Sequence, residues 1–405
     1  MKAPKGDIAI IGGGILGVVL ANEAIEAGFR PVVFRLSDQR VPFADSFRNQ
    51  AWLQSGLRYV RHNPDLALRM WTYGRRLHEV IGVPKPTGRG LFQLRTADDV
   101  TAFLEDAKKL GILNEVEPVK PDEARKLLGP HHQSGAYVYS SPESPFDEAK
   151  LIRRGREQAE RKVGGRNAIF CQIAQPVEIV PTPGKSPSHR LLIDGDEMEF
   201  GTTILAAGAG NIPLLKALGD QVEIKIQQTP LLVLPGDPTI RAPILVDRFD
   251  ETSQYSVVAH PPGSCRVDGC MVFAADVHEP IGSYRLPSER EVDPKKRQAL
   301  LDALPAPLKG RAHRFTAGWE LAPVANGTAL RTTEPFVDTA RGHTDIVIAM
   351  PGRATLALYA AERVIERLKK RPAPDRDFKT VLRTQWDSSS IRMHHEDYYD
   401  QRLND

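Results

Sequence analysis

Gly12, Gly14 and Gly17 stand at G-x-G-x-x-G spacing directly behind the apolar run Ile8, Ala9, Ile10, Ile11. Small and apolar residues follow over 18–27, Gly28 interrupts them, and 31–34 is apolar again. The spacing predicts a strand, a tight turn, a helix packed on a sheet and a second strand. That context turns a weak motif into a strong one. The chemistry it offers is pyrophosphate binding. Gly12 allows the turn, Gly14 lets the backbone approach the phosphates, and Gly17 lets helix and strand pack closely. The helix start, with Ile15 and Leu16, presents free N–H groups and a partial positive charge. At the end of the second strand an acid ordinarily holds the ribose hydroxyls; here Arg35 stands there, with Asp38 three residues on. An Arg suits the 2′-phosphate of NADP or stacks on an adenine, so this position leaves the dinucleotide open. His260 ends a strand-like run just before Pro261-Pro262-Gly263. It is the best candidate for a general base, and the same place also suits an ordinary surface-turn histidine. His278 and His313 are weaker candidates.

The elements that must position these groups follow in order. Residues 45–60, DSFRNQAWLQSGLRYV, are too polar for a core helix. Residues 66–80 carry Leu66, Met70, Tyr73, Leu77 and Val80 at helical spacing. A short strand is expected over 88–95, a helix over 102–110 capped near Thr96 and Asp98, and another over 121–129. Residues 168–180 (AIFCQIAQPVEIV) alternate as a strand or strand pair, and Asp194-Gly195 suits a hairpin. Residues 203–210 form a buried strand ending in Gly208, Ala209 and Gly210. From 227 to 331 come strand-like runs at 230–234, 254–260 and 270–275, punctuated by turns, which predict an antiparallel sheet. A helix is expected over 295–304, and a strand, turn and apolar helix over 345–368.

The chain resembles the flavin oxidoreductases related to D-amino-acid oxidase and glycerol-3-phosphate dehydrogenase. Four separated stretches carry the resemblance in the family's order: the glycine turn, residues 45–60, the Ala-x-Gly end of the 203–210 strand, and PGRAT at 351–355. The resemblance implies an α/β fold, a Rossmann-type FAD-binding domain intergrown with an antiparallel-sheet substrate domain. The FAD-binding domain would comprise 1–85, 145–225 and 335–370, and the substrate domain 86–144 and 226–334, with 371–405 a C-terminal extension. Ser46, Asn49, Gly56, Leu57 and Arg58 would lie along FAD, although Arg58 and Tyr59 could instead cap the next helix. Val177, Ala207 and Gly208 would pass close to the cofactor. Gly352, Arg353, Ala354 and Thr355 would face the pyrimidine end of the flavin, with Arg353 in the place of the family's lysine. FTAGWELAPV at 315–324 resembles the family's A-G-L-R-P segment, but Ala322 replaces the Arg that binds substrate carboxylate or phosphate; Arg331 or Arg314 could supply it instead. The implied activity is oxidation of a C–N or C–O bond in a small-molecule amine or hydroxy substrate, by hydride transfer to flavin N5. The catalytic candidates are therefore His260, Arg331 and Arg353. A non-catalytic flavin- or nucleotide-binding protein and an NADP-dependent oxidoreductase remain as alternatives.

Composition limits the remaining classes. At 405 residues the chain can bury a large core in two domains. A net charge of +3 makes no general case for nucleic acid. Cys171, Cys265 and Cys270 cannot build a disulfide framework and lack zinc spacing, so no metal is expected. No secretory pattern, internal repeat or bilayer-length apolar run is evident. A cytoplasmic enzyme is the expectation.

Overall fold

The computed structural model describes residues 7–36, 52–61, 63–82, 90–112, 116–129, 135–140, 143–145, 148–163, 169–182, 189–220, 224–236, 244–246, 255–260, 270–275, 279–281, 293–304, 306–311, 313–325, 328–329 and 334–370. Ser46, Asn49, Arg331, His278, Asp38 and the 371–405 extension lie outside them.

The apolar run at the start forms the strand Asp7–Ile11, central in a six-stranded sheet. It pairs in parallel with Arg30–Leu36 on one side and Thr202–Leu205 on the other. Phe170–Ile173 and Ile346–Met350 extend the sheet in parallel, and Phe336–Thr339 closes one edge antiparallel. Strands covered on both faces must be apolar throughout, and Ile346–Met350 is buried at every position.

The first helix, Ile15–Glu26, buries nine of its twelve residues. It packs against the helices Glu148–Lys162 and Ala357–Lys369. Small residues permit the approach: a Cβ on Gly155 would stand 2.4 Å from Val18 Cγ1. Buried Asn22 donates to the carbonyls of Val18 and Gly155, both at 2.9 Å, pinning the first of these contacts. The opposite face carries a three-stranded sheet, Glu178–Pro181, His189–Ile193 and Asp196–Met198. Its expected hairpin is present, with Asp194 at φ 50° and Gly195 at φ 93°, the left-handed pair that a two-residue hairpin demands. Fully buried His189 ties this sheet to the parallel one. Its Nε2 lies 2.6 Å from Thr203 Oγ1, and its Nδ1 lies 3.3 Å from Asp345 Oδ2.

The second large sheet has ten strands. Ile224–Pro235 runs antiparallel to Arg314–Ala325 and to Cys270–Ala275. Cys270–Ala275 pairs with Tyr255–His260, which pairs with Ile244–Val246. The expectation of an antiparallel sheet holds except at one seam, where Ile244–Val246 runs parallel to Gly90–Leu94. A long connection separates these two strands, so no hairpin dictates their direction. The helices Ala97–Lys109 and Pro121–Leu128 flank the end of the sheet formed by Gly90–Leu94, Ala136–Ser140 and Val116–Val119. Ala97–Lys109 opens with a reciprocal capping box between Thr96 and Asp99, one residue beyond the acid singled out in the sequence.

Residues 52–60 join the two sheets. They form the two-residue strand Trp52–Leu53, paired with Ser144–Pro145, and the short 3-10 turn Leu57–Tyr59. Trp52, Leu53, Leu57 and Val60 are deeply buried, and so are the polar Gln54 and Ser55. The helix Pro64–Val80 follows, capped by Asn63, whose side chain accepts from the Leu66 amide at 3.1 Å. The cap is thus Asn63 and not Arg58 or Tyr59.

Candidate active site

In a parallel sheet, ligands bind beyond the carboxyl ends of the strands. Four such ends meet here. Strand register sets Ile11 beside Phe34 and Leu205, and Leu205 beside Ile348. The turn at Gly12, the Arg35 strand end, residues 206–208 and residues 351–355 therefore share one edge.

Gly12 has φ 123°, and its amide donates to the Phe34 carbonyl at 2.9 Å. A Cβ there would stand 2.4 Å from the Ala206 carbonyl oxygen, and one on Gly17 would stand 1.9 Å from the Gly12 carbonyl oxygen. Both glycines are demanded by backbone contact. Gly14 begins the first helix with extended backbone and no side-chain cap, and the first turn carries no acid. A helix start without a side-chain cap or a first-turn acid is electrostatically suited to an anion. Ile15 and Leu16 bury their side chains in the core, so they offer a ligand only backbone. Val177 likewise places its side chain in the core on the other face of the sheet.

Arg35 lies across the glycine turn. Its Cβ is 2.6 Å from where a Gly13 side chain would begin. Gly13 was not among the expected site residues, because the motif treats it as variable; the side chain at 35, from its Cβ onward, is what crowds it.

Residues 206–210 follow Thr202–Leu205. Ala206 donates its amide to the Ile11 carbonyl at 2.9 Å, and Gly208 has φ 58°. Buried Asn211 braces this bend, accepting from the Ala207 amide at 2.9 Å and donating to the Leu205 carbonyl at 3.1 Å. Arg314–Ala325, the strand containing Ala322, passes against Gly208–Gly210.

Gly352 turns the chain with φ 68°, and partly buried Arg353 precedes the 3-10 turn Ala354–Leu356. Thr355 is buried and accepts from the Gln54 amide at 3.3 Å. This contact brings residues 52–58 to the PGRAT turn. Gly56 has φ 92°, and a Cβ there would stand 2.6 Å from the Ala67 carbonyl oxygen. Leu57 is fully buried beside it, and Arg58 is partly buried.

His260 is 4% exposed, at the end of Tyr255–His260 and paired with Cys270. The surface-turn alternative is therefore set aside: the ladder of the large sheet encloses this residue. Its strand contacts Ser144–Pro145, which in turn pairs with Trp52–Leu53. His313 is exposed, its ring edge-on to Phe315 at 5.4 Å.

Sequence reasoning missed Glu143. It is 1% exposed. Trp52 Nε1 donates to its Oε2 at 2.5 Å, the Ser55 amide donates to its Oε1 at 2.9 Å, and the Ser55 hydroxyl makes a short hydrogen bond to Oε1. Burial pushes its carboxyl up to about 8, against the opposing pull of the three hydrogen bonds. The SPESP setting, an acid among turn residues, gave no sign of this burial.

No group of three or more His, Cys, Asp or Glu among the described residues could hold a metal ion. No helix among them is long and apolar enough to cross a membrane. The uncapped helix start and the glycine turn without room for side chains fit the pyrophosphate of a dinucleotide.

These features define a dinucleotide-binding protein of the Rossmann type. The chain matches the FAD dependent oxidoreductase family over residues 7–379 and belongs to it; FAD is its cofactor, and when bound supplies the two-electron acceptor. A relative in Pseudomonas aeruginosa, the probable FAD-dependent oxidoreductase PA4991, is 25% identical over 91% of this chain and 92% of its own length. Iminodiacetate oxidase from Chelativorans sp. BNC1 shares the fold with a TM-score of 0.65 at 16% identity, covering 91% of this chain and 96% of its own. L-alpha-glycerophosphate oxidase from Mycoplasma pneumoniae, solved with FAD bound, also has a TM-score of 0.65 at 16% identity, over 92% of this chain and 96% of its own.

Proposed function

We propose that this protein oxidises a C–N or C–O bond in an amine or hydroxy compound larger than a simple amino acid, removing a hydride from the substrate carbon with FAD as acceptor. The observation that carries this reading is the junction of residues 52–58 with 351–355 through Gln54 and Thr355. In this reading the contact draws the polar residues of one segment and Arg353 of the other towards the flavin, and the strand that holds Ala322 passes against Gly208–Gly210. Structural neighbours named for iminodiacetate and for glycerophosphate support both bond types.

The roles follow from chemistry. Gly12, Gly14 and Gly17, with the helix N-terminus, hold the pyrophosphate. Arg35 packs by the adenosine half; the family resemblance alone assigns Ser46 and Asn49 to FAD as well. Arg353 and the uncapped start of Ala357–Lys369 supply positive potential where the reduced cofactor becomes anionic. His260 takes the proton of a hydroxyl substrate; an amine reacts as its neutral form without a base. With Ala322 in place of an arginine, the bidentate anchor that a small carboxylate needs is lost, unless Arg331 supplies it.

The test is a visible spectrum of the purified protein followed by anaerobic bleaching with amines and 2-hydroxy acids of increasing size. Bleaching by an extended amine or hydroxy compound supports the reading. A flavin that no member of either series reduces overturns it in favour of a non-catalytic flavoprotein.

A further inference from the structure

Glu143 is a buried acid that the proposed reaction does not use. Its carboxyl receives hydrogen bonds from two residues of one short segment, Trp52 and Ser55. Those residues flank Leu53 and Gln54, and Gln54 is the residue bonded to Thr355. The Ser55 hydroxyl oxygen also accepts from the Leu57 amide at 3.1 Å, so the network continues into the turn behind Gly56. The carboxyl has little freedom to move. A Cβ on Gly90 would stand 2.7 Å from Glu143 Cβ, so only a glycine at 90 admits the acid. The Trp52 ring lies tilted against Phe92, with centroids 6.4 Å apart.

A buried acid with three donors is an expensive way to brace a loop. An apolar residue of similar volume would pack without the desolvation cost. Its advantage is directional: two carboxyl oxygens accept from three donors, and so fix the backbone of the segment.

We propose that Glu143 is a positioning residue for the flavin site, setting the backbone of residues 54–56 against Thr355 by holding Trp52 and Ser55. This rests on the assignment of residues 52–58 and 351–355 to the FAD site. Glu143 acts through these neighbours and needs no contact with FAD or substrate. The isosteric amide cannot replace it. A glutamine offers one acceptor oxygen, and its NH2 must face either the Trp52 N–H or the Ser55 N–H, donor against donor.

The test compares FAD-loaded wild type with Glu143→Gln, Trp52→Phe and Thr355→Val. Three readouts are used: FAD dissociation constant, position of the visible flavin bands, and reduction potential against a reference dye. Glu143→Gln should weaken FAD about tenfold, as expected when a buried donor is left without an acceptor, and shift the bands or the potential. Trp52→Phe keeps the ring on Phe92, removes one donor, and should move the same readouts less. The double variant should be no worse than Glu143→Gln alone, because both act on one network. If Glu143→Gln lowers only the melting temperature and leaves all three readouts at wild-type values, its role is structural and the proposal is overturned. Thr355→Val separates the two levels. If it moves the flavin readouts and Glu143→Gln does not, the site assignment stands and the Glu143 proposal falls; if neither moves them, both fall. Should Glu143→Gln fail to fold, Trp52→Phe and Ser55→Ala carry the test by the same three readouts.

Discussion

The backbone N–H of Gln54 donates to the Thr355 hydroxyl oxygen at 3.3 Å, joining segments 301 positions apart in the chain. The Thr355 methyl carbon lies 2.6 Å from where a Gly74 side chain would begin. One side chain thus meets the loop before the helix Pro64–Val80 with its oxygen and the helix itself with its methyl.

Thr355→Val keeps the branched shape and removes the acceptor. The buried Gln54 N–H then loses its partner, at a cost of about 1–3 kcal/mol. We expect a lower denaturation midpoint and weaker FAD binding, read by urea titration and by flavin release. Full retention of both would mean that the 54–355 contact is dispensable.

The glycines give a sharper contrast. In Gly17→Ala the new carbon meets the Gly12 carbonyl oxygen at 1.9 Å, and the helix must shift away from the strand. Overpacking of this kind costs about 1–3 kcal/mol, and the shift also moves the pyrophosphate cradle, so the purified variant should be colourless. Gly28→Asn is the control. Nothing lies within 4 Å of a Cβ there, and Asn tolerates its φ of 83°. That variant should stay yellow.

The contrast between those two glycines shows what was legible in the sequence. The glycine turn, the helix over 66–80, the Asp194-Gly195 hairpin and the order of the family's four stretches are local signals. Each is written within a dozen residues by periodicity or by the need for left-handed backbone. The parallel seam between Gly90–Leu94 and Ile244–Val246 is not local, and nothing in either strand marks it. Glu143 was illegible for a related reason. Its meaning comes from Trp52 and Ser55, 91 and 88 positions away, and an acid among prolines and serines ordinarily reads as a solvated turn. Gly13 was hidden because its constraint comes from Arg35, on another strand.

Glu143 also predicts a pH dependence of stability. Its carboxyl titrates near 8 in the folded protein and near the ordinary carboxylate value when unfolded. Between those values the unfolded chain has lost a proton that the native state retains. Stability is therefore greatest below the unfolded pKa and falls as pH rises through about 8, by up to about 1.4 kcal/mol per pH unit. Urea midpoints measured from pH 5 to 8.5 should decline for the wild type and be flatter for Glu143→Gln. Equal slopes in the two proteins would show that Glu143 ionises normally.

Under the proposed site, Arg353 favours the reduced cofactor. Arg353→Met keeps length and removes charge, so FAD should remain bound while the reduction potential falls. A charged contact contributes about 1–3 kcal/mol, which for a two-electron couple corresponds to about 20–60 mV. Dye-linked reduction of wild type and variant measures it. A potential that does not move would place the guanidinium away from the flavin.

Ala322 makes the last prediction, about substrate size. It lies in Arg314–Ala325, opposite Lys225 in the ladder, in the stretch that resembles the family's anchor segment. Without an arginine there, a small carboxylate loses its paired charged hydrogen bonds, and binding must come from buried area and shape. Simple amino and 2-hydroxy acids should therefore reduce the flavin slowly, with high KM, while an extended amine or a hydroxy compound with a larger body should be fast. Arg331 offers the competing account, in which the anchor has moved along the chain. Under that account small acids bleach the flavin quickly, and Arg331→Ala raises their KM by an order of magnitude or more while kcat changes little, because ground-state and transition-state binding are lost together. Stopped-flow reduction of wild type and Arg331→Ala with both substrate series decides between them. Fast turnover of small acids that depends on Arg331 would overturn the expectation of a larger substrate.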